Sequence, residues 1–311
     1  METIIASEEI KAEALSLGFD VCGLAVAEPV DTSVTCYLKR WLDKGNQAEM
    51  TYLCNHFEKR CNPLTLVDGA QTVISVALNY YPSRFIPSTE YQIAWYAYGK
   101  DYHEIVKNKL LLLLEQLQKH YPTLAGRAFC DTAPILERYW AWKAGLGWIG
   151  KNTLLIIPHF GSCLFLGELI INLKSDKYGT PLPERCGDCS LCLDNCPTKA
   201  LEAQYELNAN RCINYITIEN KGEISPQMAS SLHNTIYGCN KCQEVCPWNR
   251  HAKGNTMPEL QPNENLLGMR RADWETLTEE QYKQLFSKSA IKRAKYQGLM
   301  RNIRAVRYHR K

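Results

Sequence analysis

The 311-residue chain contains no apolar run long enough to cross a bilayer. Its longest runs, at 110–114 and 163–173, fall short of the ~18 residues a spanning helix needs, and Glu168 interrupts the second. The first twenty residues have neither a basic start before an apolar stretch nor a twin arginine, so no export signal and a cytoplasmic location are expected. The 14 cysteines are too sparse for a small disulfide scaffold, where ~8–10% of residues are Cys. In a reducing compartment they should be thiols or metal ligands. At 45% hydrophobic and 22% charged, the composition excludes a mainly disordered chain and a fibre. Acidic residues are missing from one place: 281–311 holds ten Lys or Arg and no Asp or Glu. With the whole chain at +3, the other 280 residues carry −7. A mildly acidic body with a basic end points to a polyanionic partner.

The hydrophobic pattern predicts a helix between Ser7 and Gly18, strands at 21–27 and 72–80, and a helix over 106–118. A short strand ending near Cys130, a helix at 135–144 and a strand at 153–158 follow; 163–173 fits strand or helix. Such a mixture makes 1–175 one α/β or α+β domain. A polar, turn-rich stretch at 175–185 sets it apart from a cysteine-dense segment, 176–257, and a basic helical end, 258–311.

Eight cysteines crowd between Cys186 and Cys246. The first run, Cys186-x2-Cys189-x2-Cys192-x3-Cys196-Pro197, is the bacterial ferredoxin pattern. Three thiolates spaced this way wrap three corners of an iron–sulfur cubane, and the fourth, before Pro, serves the other cluster. The second run, Cys239-x2-Cys242-x3-Cys246-Pro247, has Ile236 where its first cysteine should be, so Cys212 should supply that thiolate. One [4Fe–4S] cluster is therefore expected on Cys186, Cys189, Cys192 and Cys246, the other on Cys196, Cys212, Cys239 and Cys242. Structural zinc needs neither the crossed order nor the Cys-Pro endings. The six scattered cysteines are expected to be small buried apolar residues. Two cubanes pass single electrons and need an acceptor; a preceding domain of about 175 residues argues for an enzyme over a carrier.

Two motifs in that domain mislead. Gly145-x-Gly147-x2-Gly150 imitates a dinucleotide fingerprint and, with Lys151-Asn152, a near P-loop, but phosphate binding needs a strand before and a helix after. Here the predicted order is reversed. Asp101-Tyr-His103 is followed by Val106 where a corrinoid D-x-H-x-x-G motif has Gly, so His103 is a poor candidate for a cobalt ligand.

Several stretches together resemble the epoxyqueuosine reductase family: Phe57-Glu-Lys-Arg60, Tyr98-Gly-Lys-Asp-Tyr-His103, Cys130-Asp-Thr-Ala-Pro134, 143–152, the eight cysteines and 289–302. The resemblance covers nearly the whole chain. It implies an α+β, nitroreductase-like cobalamin-binding domain, then a two-[4Fe–4S] ferredoxin-like module, acting on tRNA that carries epoxyqueuosine. The implied reaction removes an epoxide oxygen as water, which takes two electrons from an unidentified reductant or electron-transfer protein, and two protons.

On sequence alone an N-cap is the favoured reading of Asp131; the resemblance reverses this, since Asp131 matches the family's proton donor. Donation near neutral pH would require burial against the corrin to raise its pKa. For cobalamin contacts the resemblance points to Arg60, Tyr98, Asp131, Lys151, Leu155, Asn214, Asn240 and Lys241, with Asn214 standing where Ser is expected. Many relatives continue into a helical-repeat domain. In its place the basic end, with Lys292, Arg293, Lys295 and Arg301, is expected to hold tRNA phosphates. A corrinoid reductive dehalogenase and a non-catalytic ferredoxin-like carrier are the rival readings. The absent export signal, the basic end and the Asp131 motif weigh against the first.

Overall fold

The computed structural model describes residues 3–308. At its centre is an antiparallel sheet of β1 (Val21–Val26), β2 (Thr72–Asn79), β3 (Gly126–Phe129) and β4 (Leu164–Ile171), in the order β1-β2-β4-β3. Every residue of β2 is buried, as expected for a β-branched run in a central strand covered on both faces. The period of two divides its side chains: Ile74, Val76 and Leu78 join one core cluster, Val73 and Ala77 another.

The first face is covered by helix α1 (Ser7–Ser16) and helix α2 (Tyr102–His120). Ser7 is the first residue of α1 rather than its cap; Ala6 occupies that place, and Gly18, at φ +85°, ends the helix where expected. Helix α2 starts at Asp101, whose carboxylate accepts the His103 N–H, and buries Val106, Leu110, Leu113 and Leu117 along one stripe. The second face is covered by α3 (Glu137–Lys143), with Tyr139, Trp140 and Ala141 buried. In the ambiguous 163–173 stretch, the strand β4 places Glu168 fully buried beneath α3.

The glycine-rich bend follows α3 and enters a two-stranded hairpin, Trp148–Ile149 against Leu155–Ile156. A Cβ on Gly147 would stand 2.1 Å from the Ile156 carbonyl, so this glycine serves close strand packing. With a helix before it and a strand after, the bend has no phosphate-binding helix N-terminus.

In the cysteine-rich segment, helix α4 (Leu191–Asp194) packs against helix α5 (Lys241–Glu244). The segment is tied to the sheet domain by buried amides. Gln243 donates to the Tyr80 hydroxyl and the Ser162 carbonyl, and Asn249 accepts the Ser162 N–H at 2.7 Å. The strand Gln92–Ile93 also pairs with Thr235–Tyr237.

The basic end is not a loose tail. Helix α6 (Lys295–Tyr308) buries Leu299, Ile303 and Val306 in a cluster with Tyr91, Ile93 and Tyr98 of the first segment and Ile236 and Tyr237 of the second. Asn302, fully buried, donates to the carbonyls of Thr217 and Ile236. One core therefore joins stretches from all three sequence segments. Arg310 and Lys311 lie outside the described residues. Among the described residues, no helix is long and apolar enough to cross a membrane.

Candidate active site and cluster-binding cysteines

Strand β3 ends at Phe129, and the chain turns at Asp131 with φ +53°, a left-handed conformation costly for a residue with a Cβ. The Asp131 N–H is held at 2.5 Å by Glu137 Oε1, from the first turn of α3. The Asp131 side chain is 54% exposed and accepts two hydrogen bonds, from His103 Nε2 at 2.8 Å and the Tyr102 hydroxyl at 3.1 Å. His103 Nδ1 lies 2.6 Å from Asp101 Oδ1, and Asp101 Oδ2 meets Lys292 Nζ at 2.7 Å. Four groups of alternating charge thus run from the basic end to the exposed carboxylate.

Two opposing effects act on the Asp131 carboxyl. Burial pushes its carboxyl up, but the hydrogen bond and charge of His103 and the Tyr102 hydroxyl outweigh it, and its pKa is lowered. Burial also pulls His103 down, yet hydrogen bonds to Asp101 and Asp131 lift it to about 9. At neutral pH the mobile proton rests on the imidazole. Both ring nitrogens are engaged by carboxylates, which leaves no free nitrogen for a metal. Behind the loop, burial and the charge of Asp131 raise Glu137 to about 7, while Glu168, which Ser75 Oγ contacts at 3.3 Å, is pushed well up by burial and by Glu137.

Two predicted residues, Arg293 and Arg60, meet at Tyr52, on which the charge of Asp131 also acts. Arg293 forms a bidentate pair with Glu219 at 2.8 and 2.9 Å, lies 6.0 Å from the ring of Tyr52, and lowers the Asp131 carboxyl by its charge. Arg60 donates to the Tyr52 carbonyl, and its Nε is buried with no partner among the described residues. Lys295 is exposed at the start of α6. Arg301 is placed differently. All five of its donors are engaged, by the carbonyls of Ile216, Asn220 and Gly222 and by Asn302 Oδ1, so none faces a phosphate.

The other predicted cofactor contacts have different surroundings. Tyr98 is 1% exposed, with its hydroxyl on the Ile86 N–H, and belongs to the core under α6. Lys151 is buried, and its ammonium donates to the carbonyls of Gly187 and Cys189, beside the first cysteine run. Leu155 is buried in the hairpin core, Asn214 is exposed near Gly238, Asn240 accepts the Trp95 N–H, and Lys241 pairs with Glu244.

The eight thiols fall into two crossed groups. Cys186, Cys189, Cys192 and Cys246 line one recess with Lys151 and Trp248. Burial, then the charges of Cys239, Cys212, Cys192 and Cys196, push Cys242 well up; burial, then Cys212 and Cys196, push Cys239 to about 12. Among the described residues no three Cys, His, Asp or Glu donors converge tightly enough for a single ion. Of the scattered cysteines, Cys130 and Cys163 are buried as expected; Cys22 and Cys61 are half-buried, and Cys36 and Cys54 are exposed.

Sequence reasoning missed the roles of His103, Tyr102, Glu137 and Glu219 around Asp131. The only signal was the Asp101-Tyr-His103 triplet, in which the capping Asp and the imidazole share one turn.

Two families match this chain. One, described as 4Fe-4S double cluster binding domain, spans residues 185–249. The other, described as epoxyqueuosine reductase QueG, DUF1730, spans residues 60–132. Epoxyqueuosine reductase from Leadbetterella byssophila is 45% identical over 301 residues, which covers 97% of this chain and 98% of that protein. A crystal structure of selenomethionine-labeled epoxyqueuosine reductase superposes with a TM-score of 0.90 at 29% identity, covering 97% of this chain and 81% of that one. A second, of epoxyqueuosine reductase with an epoxyqueuosine-modified tRNA-Tyr stem loop, gives 0.89 at 29% identity, with 97% and 80% covered.

Proposed function

The chain belongs to the epoxyqueuosine reductase family, and from that membership we propose that it reduces epoxyqueuosine to queuosine in tRNA. The observation that carries this reading is the likeness over 97% of the chain to a relative of nearly the same length. The exposed Asp131–His103 pair is the acid that such a reaction needs. Opening an epoxide expels an alkoxide, a poor leaving group until it is protonated. The full reaction turns the epoxide into an alkene and water with two electrons and two protons.

The two crossed cysteine groups would each hold a [4Fe–4S] cluster, and the donor set fits because thiolates are the ligands such clusters take. Arg60, Asp131, Asn214, Asn240 and Lys241 would hold cobalamin, Arg60 through its buried Nε, which has no partner among the described residues. When bound, these groups supply single electrons from an external reductant and a strongly reducing, nucleophilic metal centre. Of the other residues the resemblance pointed to, Lys151 braces the first cluster loop, and Tyr98 and Leu155 fill cores of the fold.

Asp131 is the group that touches the epoxide oxygen. Tyr102 and His103 fix its carboxylate, and Glu137 fixes its backbone. Lys292 pairs with Asp101 and the charge of Arg293 acts on Asp131, which brings the basic end to this site, and Lys295 and the exposed Arg304 and Arg307 extend a positive surface for tRNA phosphate. In this reading 1–175 houses the nitroreductase-like cobalamin site, 176–257 the electron path and 258–311 the tRNA contact. The test is Asp131→Asn, in protein with iron, sulfide and cobalamin loaded. It should retain both cofactors and lose turnover; full activity would refute the assignment.

A further inference from the structure

We infer that His103 is a positioning residue that stores the reaction's protons and passes them to Asp131, an inference that rests on the reading above. The argument begins with stoichiometry. Two protons must reach one oxygen in each turnover, and a single carboxyl holds at most one. Carboxylates also face both ring nitrogens, an arrangement that favours a doubly protonated imidazole beside an ionised Asp131. Each proton then takes the same route: from His103 Nε2 across 2.8 Å to Asp131 Oδ2, then to the substrate oxygen. The first transfer accompanies cleavage of one C–O bond and leaves a hydroxyl. The second accompanies loss of that hydroxyl as water and formation of the C=C bond. The two electrons come from the external reductant already required, so charge and atoms balance. Between transfers His103 regains a proton from solvent, to which 31% of its side chain is open.

Asp101 holds the imidazole in this orientation. Its other oxygen is tied to Lys292, and its N–H donates to the Lys288 carbonyl, so the basic end clamps the relay. The groups facing the relay are Asp101, Asp131 and the Tyr102 ring, stacked 4.1 Å from the imidazole, with Lys292 behind Asp101 and Arg293 and Glu137 beside Asp131. With His103 lifted to about 9, the store is full at neutral pH and empties as pH rises through that value.

The test is single-turnover reduction of epoxyqueuosine-containing tRNA against pH, using cofactor-loaded wild type, Asp101→Asn and His103→Gln, with cobalamin absorbance and tRNA affinity measured in parallel. Wild type should lose rate as pH rises through about 9. Asp101→Asn removes one of the two carboxylates that hold the proton, so its alkaline limb should move down by about one pH unit or more. His103→Gln should lose roughly 100-fold or more in rate, partly restored by added imidazole, with cobalamin and tRNA binding unchanged. An unmoved alkaline limb in Asp101→Asn, or a wild-type rate in His103→Gln, overturns the inference, and the first remains decisive if the second variant fails to fold. Absence of product from wild type at every pH would instead overturn the proposed function.

Discussion

Asn302 offers the sharpest test of whether the basic end is part of the fold. Its amide is fully buried and donates to the carbonyls of Thr217 and Ile236, each at 2.8 Å, while its Oδ1 accepts from Arg301 Nε and Nη2. Asn302→Leu keeps most of the volume and removes all four hydrogen bonds. Orphaning a buried polar group costs about 1–3 kcal/mol, and two carbonyls and a guanidinium are affected. Allowing Arg301 to find partial compensation, the net loss should be about 3–5 kcal/mol. In a chain of this size each kcal/mol moves the midpoint by about 2–4 °C, so the thermal transition should fall by roughly 6–20 °C. The assay is thermal unfolding of cofactor-loaded protein at a fixed scan rate, with the exposed Arg304→Ala as a control that should barely move. A shift for Asn302→Leu no larger than the control's would refute the reasoning.

Three further outcomes follow from the site. Cys246→Ser should abolish the cluster held by the first cysteine run although Cys246 lies in the second, leaving the other cluster's electron paramagnetic resonance signal intact; loss of the second cluster instead would contradict the crossed grouping. Lys295→Ala should weaken tRNA binding and reduce the slope of log affinity against log salt by about one, and an unchanged slope would remove Lys295 from the phosphate contacts. Glu137→Ala frees the Asp131 loop, whose left-handed backbone costs about 1–2 kcal/mol, so turnover should fall about tenfold with tRNA affinity unchanged; unaltered turnover would show that the loop holds itself.

What the sequence revealed followed the range of the interactions involved. The cysteine runs were legible because cluster ligation is fixed by spacings of two and three residues, and β2 because a β-branched run has few other uses. Strand β4 was ambiguous because it is buried on both faces and so lacks alternation, with Glu168 interrupting the apolar run where the fold buries it under α3. The basic end showed its charge but not its apolar stripe of Leu299, Ile303 and Val306, which is why Arg301 was assigned to phosphate although it is enclosed by carbonyls. Asp131 and His103 lie 28 residues apart, and only the fold brings β3 to the start of α2. That contact is what lowers the Asp131 carboxyl.

The measurement that tests the account most directly is nucleoside analysis after anaerobic incubation of epoxyqueuosine-containing tRNA with the iron–sulfur- and cobalamin-loaded protein and a chemical reductant. Conversion to queuosine by wild type, with epoxyqueuosine left intact by Asp131→Asn, is the predicted result. Unaltered epoxyqueuosine from wild-type protein with both cofactors verified as bound and reduced would contradict it.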